Sequence, residues 1–307
     1  MAASQRIVVV TGATGRQGGA VARHLLSDGW RVRALTQKPG GKRALRLAAL
    51  GAEVIGGDMA SPATLRAAFR DAYGLYNVQN PMISGLDGEI MQGKNVADVA
   101  KQVGIQHVVY GSSGIGRRTG VGSWDSKLII QAHMAALDLP LTVLRPMAFM
   151  ELMTDKAFYP PVATWHVMPK LTGATRPILW LCVDDLGAIA AKAFANPDRF
   201  IGADLKLVAD IRSNAECRVT WRDVTGRTPR RIPMPTWIFE RFVNTDLTTM
   251  WRWLHANDFE VDPAETYKIL PTALTVKEWL RDSRAHPGPP RPHPRPSSCP
   301  IGASFPG

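Results

Sequence analysis

Three glycines spaced three apart, Gly12, Gly15 and Gly18, stand between the β-forming run Ile7, Val8, Val9, Val10 and a helical segment; no other feature constrains the fold as much. So abrupt a strand-to-helix turn needs residues without Cβ at the bend, where backbone approaches a ligand, and where helix meets strand. The first N–H groups of that helix face an anion, and in a first βα turn that anion is the pyrophosphate of a dinucleotide. The expected contacts are Gly12, Thr14, Gly15, Arg16, Gln17 and Gly18.

From residue 6 to 144 short β-branched runs at 7–10, 32–35, 53–55, 74–78, 107–110 and 141–144 alternate with segments 20–26, 44–50, 63–69, 90–103 and 128–137. In the latter, apolar residues recur at three- and four-residue intervals, which predicts helices with one face on a sheet. The alternation predicts an α/β fold, a Rossmann-type doubly wound parallel sheet with right-handed crossovers. After Arg145-Pro146 the rhythm loosens: a loop-rich stretch to Pro177, strand–helix pairs over 179–195 and 205–224, and a helical segment over 236–255. Residues 1–150 are read as the dinucleotide-binding domain and 151–282 as a smaller C-terminal α/β lobe for substrate or partner, over the C-terminal ends of the strands. Residues 283–307 form a proline-rich tail expected to be extended or disordered.

With 307 residues, 45% of them hydrophobic, the chain can bury a large core. Its apolar runs are too short to span a bilayer and its start lacks a secretory core, so a cytoplasmic location is expected, with no membrane partner. Cys182, Cys217 and Cys299 show no metal-ligand spacing, and no metal is expected. The net charge of +11 would attract polyanions, but the cations are dispersed and no nucleic-acid-binding signature is present, which disfavours a direct nucleic-acid partner.

Cofactor choice is decided after the second strand, where an acid would bind a ribose diol and a cation a 2′-phosphate. The segment there, with Gln37, Lys38, Lys42 and Arg43, has no acid, and Arg16 of the glycine turn is expected within reach, so NADP(H) is preferred and NAD(H) is the alternative. The segment 88–95 resembles a phosphate-binding loop but has Asn95 in place of a Ser or Thr, and sits inside a helical pattern. None of the five tyrosines precedes a lysine by four residues, the spacing by which dehydrogenases of the short-chain type lower a phenol's pKa. The nearest arrangement is Ser123 before Lys127, and a serine hydroxyl is a much weaker acid. Ser112 and Ser113 could hydrogen-bond a substrate carbonyl or cap a loop. Lys127, Ser113 and Ser123 are the catalytic candidates. Trp251 and Trp253 read as lobe packing, Asp184-Asp185 as a helix N-cap, and His133 and Cys182 as core.

The motifs Thr11-Gly-Ala-Thr-Gly-Arg-Gln-Gly-Gly, Gly57-Asp58, Gln92-Gly-Lys-Asn-Val-Ala-Asp-Val-Ala, His107-Val-Val-Tyr, Trp124-Asp-Ser-Lys and Phe149-Met-Glu resemble the NmrA-like family of atypical short-chain dehydrogenases. Asp246-Leu-Thr-Thr-Met-Trp-Arg-Trp and Leu270-Pro-Thr-Ala-Leu-Thr-Val-Lys-Glu-Trp-Leu are similar to its NADPH-sensor branch. The resemblance implies cofactor contacts from the glycine turn, from Asp58 and Met59 near the adenine, from Gln79 and Asn80, and from Lys94; Lys127, Phe149 and Glu151 would lie by the nicotinamide. Gln37 stands where the sensor branch carries an arginine for the 2′-phosphate, so Lys38 would take that role, and Ser123 stands where members often carry histidine. Two functions follow as expectations. The leading one is a redox-cofactor sensor whose occupancy changes affinity for a protein partner; the alternative is an NADPH-dependent reductase of a quinone, ketone or imine. A homodimer is compatible with either.

Overall fold

A computed structural model describes residues 6–155, 163–229 and 233–285. Its strands are β1 (Ile7–Val10), β2 (Arg31–Thr36), β3 (Glu53–Gly56), β4 (Gly74–Asn77), β5 (His107–Gly111), β6 (Leu141–Pro146), β7 (Ala148–Phe149), β8 (Pro177–Leu181), β9 (Asp204–Leu207) and β10 (Asp210–Ser213). Seven form one parallel sheet in the order β3-β2-β1-β4-β5-β6-β9. Sequence order reverses between β1 and β4, which opens the ligand crevice of a doubly wound sheet at the end of β1.

Helices α1 (Arg16–Ser27), α2 (Lys42–Ala49), α3 (Pro62–Phe69), α4 (Pro81–Val103) and α5 (Gly122–Ala136) connect the first six strands. Because side chains alternate along a strand, Val8 and Val10 enter the core that includes Ala20, Leu25 and Ile189, while Val9 enters the opposite one with Leu65, Val96 and Ile130. Close helix packing rests on glycines: a Cβ on Gly93 of α4 would lie 2.6 Å from Ile130 of α5. Gly85, at φ 72° and ψ 172°, interrupts α4 after its first turn, a conformation that suits glycine.

The chain beyond residue 150 contributes to both the main body and a smaller C-terminal region. It supplies β9 to the main sheet and, after α6 (Met168–Thr172), α7 (Val183–Ala195), which lies against α1. A second sheet, β10-β8-β7, pairs β8 antiparallel to β10 and parallel to β7. α8 (Pro197–Phe200) follows α7 on the main body, its Phe200 carbonyl accepting from Thr142 of β6, and α9 (Asn214–Thr225) lies against β10; α10 (Thr236–Phe242), α11 (Thr245–Ala256), α12 (Pro263–Ile269) and α13 (Val276–Ala285) complete the C-terminal part. Arg145, wholly buried, ties β6 to β9 through Asp204 (2.6 and 2.9 Å) and reaches Gln131 of α5.

Trp251 packs on Phe239 at 5.6 Å, and Trp253 meets Trp124 edge-on at 5.3 Å. Two expectations are corrected. The N-cap of α7 is Cys182, whose Sγ accepts from the Asp185 amide; Asp184 instead pairs with Arg23 and His24, and Asp185 accepts from the Leu274 amide. His133 is half-buried, not core, because Asp98 holds its Nε2 at 2.7 Å. Residues 283–285, assigned to the tail, are instead the end of α13; the rest of the tail lies outside the described residues, as does Cys299. No helix among the described residues is long and apolar enough to cross a membrane.

Candidate functional site

β1 is followed by Thr11, whose hydroxyl accepts from the Val78 amide at 2.9 Å and whose own amide donates to the Tyr76 carbonyl, so the turn is fastened to the end of β4. Gly12 then takes φ +58°, and its carbonyl accepts from the Gly15 amide at 2.8 Å. A Cβ on Gly18 would collide with the Gly12 carbonyl and stand 2.7 Å from the Thr11 oxygen. Gly15 is the N-cap of α1, and no side chain caps that helix, which leaves its first N–H groups to a ligand. Gln17 is held from behind by the Tyr76 hydroxyl at 3.4 Å. The cradle thus has the shape and donor set that a dinucleotide pyrophosphate requires.

On the β2 side Gln37 and Lys38 are exposed, and the Lys38 amide donates to Thr36. Arg43, from the first turn of α2, bends over the cradle and donates to the Thr14 carbonyl at 3.2 Å. Arg16 points away from that cluster, towards the C-terminal region, and pairs with Asp155 at 2.5 Å. Asp58 and Met59 follow β3; Met59 Sδ accepts from Gln79, and its carbonyl accepts from Asn95 of α4 at 3.2 Å. Gln79 also donates to Asn77, while Asn80 caps α4 by accepting from the Met82 amide. Lys94, half-buried, lies on α4 beside Asn95. Met59, Gln79 and Asn95 are thereby linked to one another beyond the ends of β3 and β4.

Lys127, on α5, is buried and donates to Glu89 Oε1 of α4 at 2.6 Å and to the Gln79 carbonyl at 3.4 Å. Glu89 is fully buried, and its other oxygen accepts from Ser126 at 2.5 Å. Ser123 lies one turn earlier, its amide bound to Asp246 of α11 at 3.2 Å. The Ser113 carbonyl accepts from Arg145 at 2.9 Å, and Ser112 Oγ accepts from the same guanidinium at 3.2 Å. Tyr76 and Tyr110 are buried in β4 and β5, and burial pushes both phenols far above their ordinary value. Phe149 is buried at the start of a short 3-10 helix. Glu151 turns to α7, where both carboxylate oxygens accept from the Val183 amide at 3.0 and 3.2 Å; burial raises its pKa to about 7.

Sequence reasoning singled out Lys127 but not Glu89, which sits inside an ordinary helical pattern 38 residues away. Its only signal was a charge at a position α4 turns inward. Asp155 had none. Among the described residues no three His, Cys, Asp or Glu side chains come together to hold a metal.

A model of the NmrA-like family matches residues 4–280. The NmrA-like family domain-containing oxidoreductase lnaB of Aspergillus flavus is 29% identical, over 77% of this chain and 78% of its own. The NmrA-like family domain-containing oxidoreductase malD of Malbranchea aurantiaca is 26% identical, over 91% and 97%. In fold, the chain is similar to the negative transcriptional regulator NmrA in complex with NADP (TM-score 0.73, 19% identity, 91% of this chain and 95% of that one). It is equally similar to the triphenylmethane reductase of Citrobacter sp. complexed with NADP(H) (TM-score 0.73, 19% identity, 90% and 99%).

Proposed function

Because the chain belongs to the NmrA-like family, we propose that it is an NADP(H)-dependent oxidoreductase whose acceptor needs no proton from a protein phenol. The observation that carries the proposal is an intact pyrophosphate cradle beside a buried lysine that has Ser123, not tyrosine, four residues before it. The relatives named as oxidoreductases support the same reading.

The uncapped N-terminus of α1 and the glycine turn would hold the pyrophosphate, and Arg43, with Lys38 and Lys42 near it in sequence, would face the 2′-phosphate, favouring NADP(H) over NAD(H). When bound, the nicotinamide supplies the hydride. This chain contributes position and charge: Lys127 is an ammonium donor fixed by Glu89, and Ser123 is a neutral hydroxyl of little acidity. Acceptors matched to such a site are imines that arrive protonated and quinones whose product takes its proton from water; a simple ketone lacks the acid it needs. NADPH consumption measured with an imine, a quinone and a ketone panel tests this. Turnover in the order imine or quinone above ketone is expected, and none with any acceptor despite tight NADPH binding would reject it.

That negative outcome would favour a sensor, a reading supported by the Arg16–Asp155 pair. It joins the cofactor turn directly to the segment leading into the C-terminal region, a route by which occupancy could change affinity for a protein partner. Linkage then requires the partner to shift cofactor affinity by the same factor.

A further inference from the structure

We infer that the buried Glu89–Lys127 pair sets the balance of affinity between oxidised and reduced cofactor, each charge offsetting the other's effect on the nicotinamide ring. The inference rests on the cofactor reading above. The adenosine half of a dinucleotide, anchored by the α1 N-terminus and reached by Arg43, lies over the β1–β3 side. Its nicotinamide half then extends across the ends of β4 and β5. There Gln79, one residue after the Val78 that Thr11 fastens to the turn, presents its carbonyl to Lys127.

An oxidised nicotinamide ring carries one positive charge and a reduced ring none. A fixed charge nearby therefore discriminates between them, and does so more strongly where water is excluded. Lys127 alone would repel the oxidised form. Glu89, fully buried, lies 2.6 Å from the ammonium, and Ser126 keeps its second oxygen from swinging away. The pair therefore presents no net charge to the ring, and each charge is masked by the other.

Calorimetric titration of the full chain with NADP+ and with NADPH reads this as the ratio of their dissociation constants. Glu89→Gln should raise the ratio, NADP+ over NADPH, by about tenfold, and Lys127→Met should lower it by about tenfold. The double variant Glu89→Gln/Lys127→Met should return it to the wild-type value. A residue that only shaped the pocket would weaken both forms alike and leave the ratio unmoved. Glu89→Asp keeps both charges while drawing the carboxylate back, so it serves where an unpaired charge prevents folding; it should move the ratio in the direction of Glu89→Gln by a smaller factor. An unchanged ratio in Glu89→Asp and in every other variant that folds overturns the inference. A wild-type chain that binds neither form at about millimolar overturns it together with the cofactor reading; binding with an unmoved ratio overturns the inference alone.

Discussion

Gly18 and Arg43 shape the same turn by opposite means, one through the lack of a side chain and the other through a charge. Gly18→Ala places a methyl against the Gly12 carbonyl and the Thr11 oxygen, both backbone atoms that cannot step aside. It should cost about 1–3 kcal/mol in chemical denaturation, a typical overpacking penalty, and abolish NADPH binding in calorimetry. Arg43→Ala leaves the fold intact and should weaken NADPH by about tenfold while NADH changes little, since a charge-assisted phosphate contact exists only with the former. Titration with the two cofactors checks it; equal losses for both would place Arg43 elsewhere. At this scale the glycines were legible in the sequence, because the Cβ problem is local. Arg43 was only one of four cations expected within reach, and the inward charge of Glu89 could not be interpreted, because its meaning depends on α5 arriving beside α4.

β5 carries His107 into a dry interior, where Nε2 meets Thr142 Oγ1 at 2.8 Å and the ring meets Phe194 edge-on at 5.2 Å. Burial lowers its pKa from 6.5 to about 4. Between those values the unfolded chain takes up a proton that the folded chain refuses. Stability from this residue is therefore complete above pH 6.5 and is lost as pH falls towards 4, by up to about 3 kcal/mol. Glu151, which accepts from the first amide of α7, has the opposite sign: with its pKa raised from 4.5 to about 7, its contribution is greatest below 4.5 and is lost as pH rises to 7. Urea midpoints across pH 4–8 should show His107→Gln flattening the acid arm and Glu151→Gln raising stability at pH 7.5. An acid arm unaffected by His107→Gln would show that other groups control it. The elements themselves were readable: the six β-branched runs before residue 145 became β1 to β6, since a buried parallel strand announces itself by composition. The strand near 205 was readable too, but not its place beside β6. That neighbour is marked by the Arg145–Asp204 bond, buried at its arginine end, which links residues 59 apart.

In the whole molecule, α7 from the second half of the chain lies against the helix that presents the cofactor turn. Gly187 makes that approach close: a Cβ there would stand 2.7 Å from the backbone carbon of Ala20. Gly187→Ala should lower stability by about 1–3 kcal/mol and weaken NADPH binding too, although it lies outside the crevice, because the wedge displaces α1. Thermal melts with and without NADPH separate the two effects; a loss of stability with unchanged affinity would show that α1 holds the turn without help from α7. Gly85 has a different reach. By breaking α4, it sets residues 81–84, with the exposed Met82 and Ile83, apart from the length that carries Glu89. The break is an insulator: a change in that first turn should pass little strain along the helix, so substituting the exposed Ile83 should leave the urea midpoint almost unmoved.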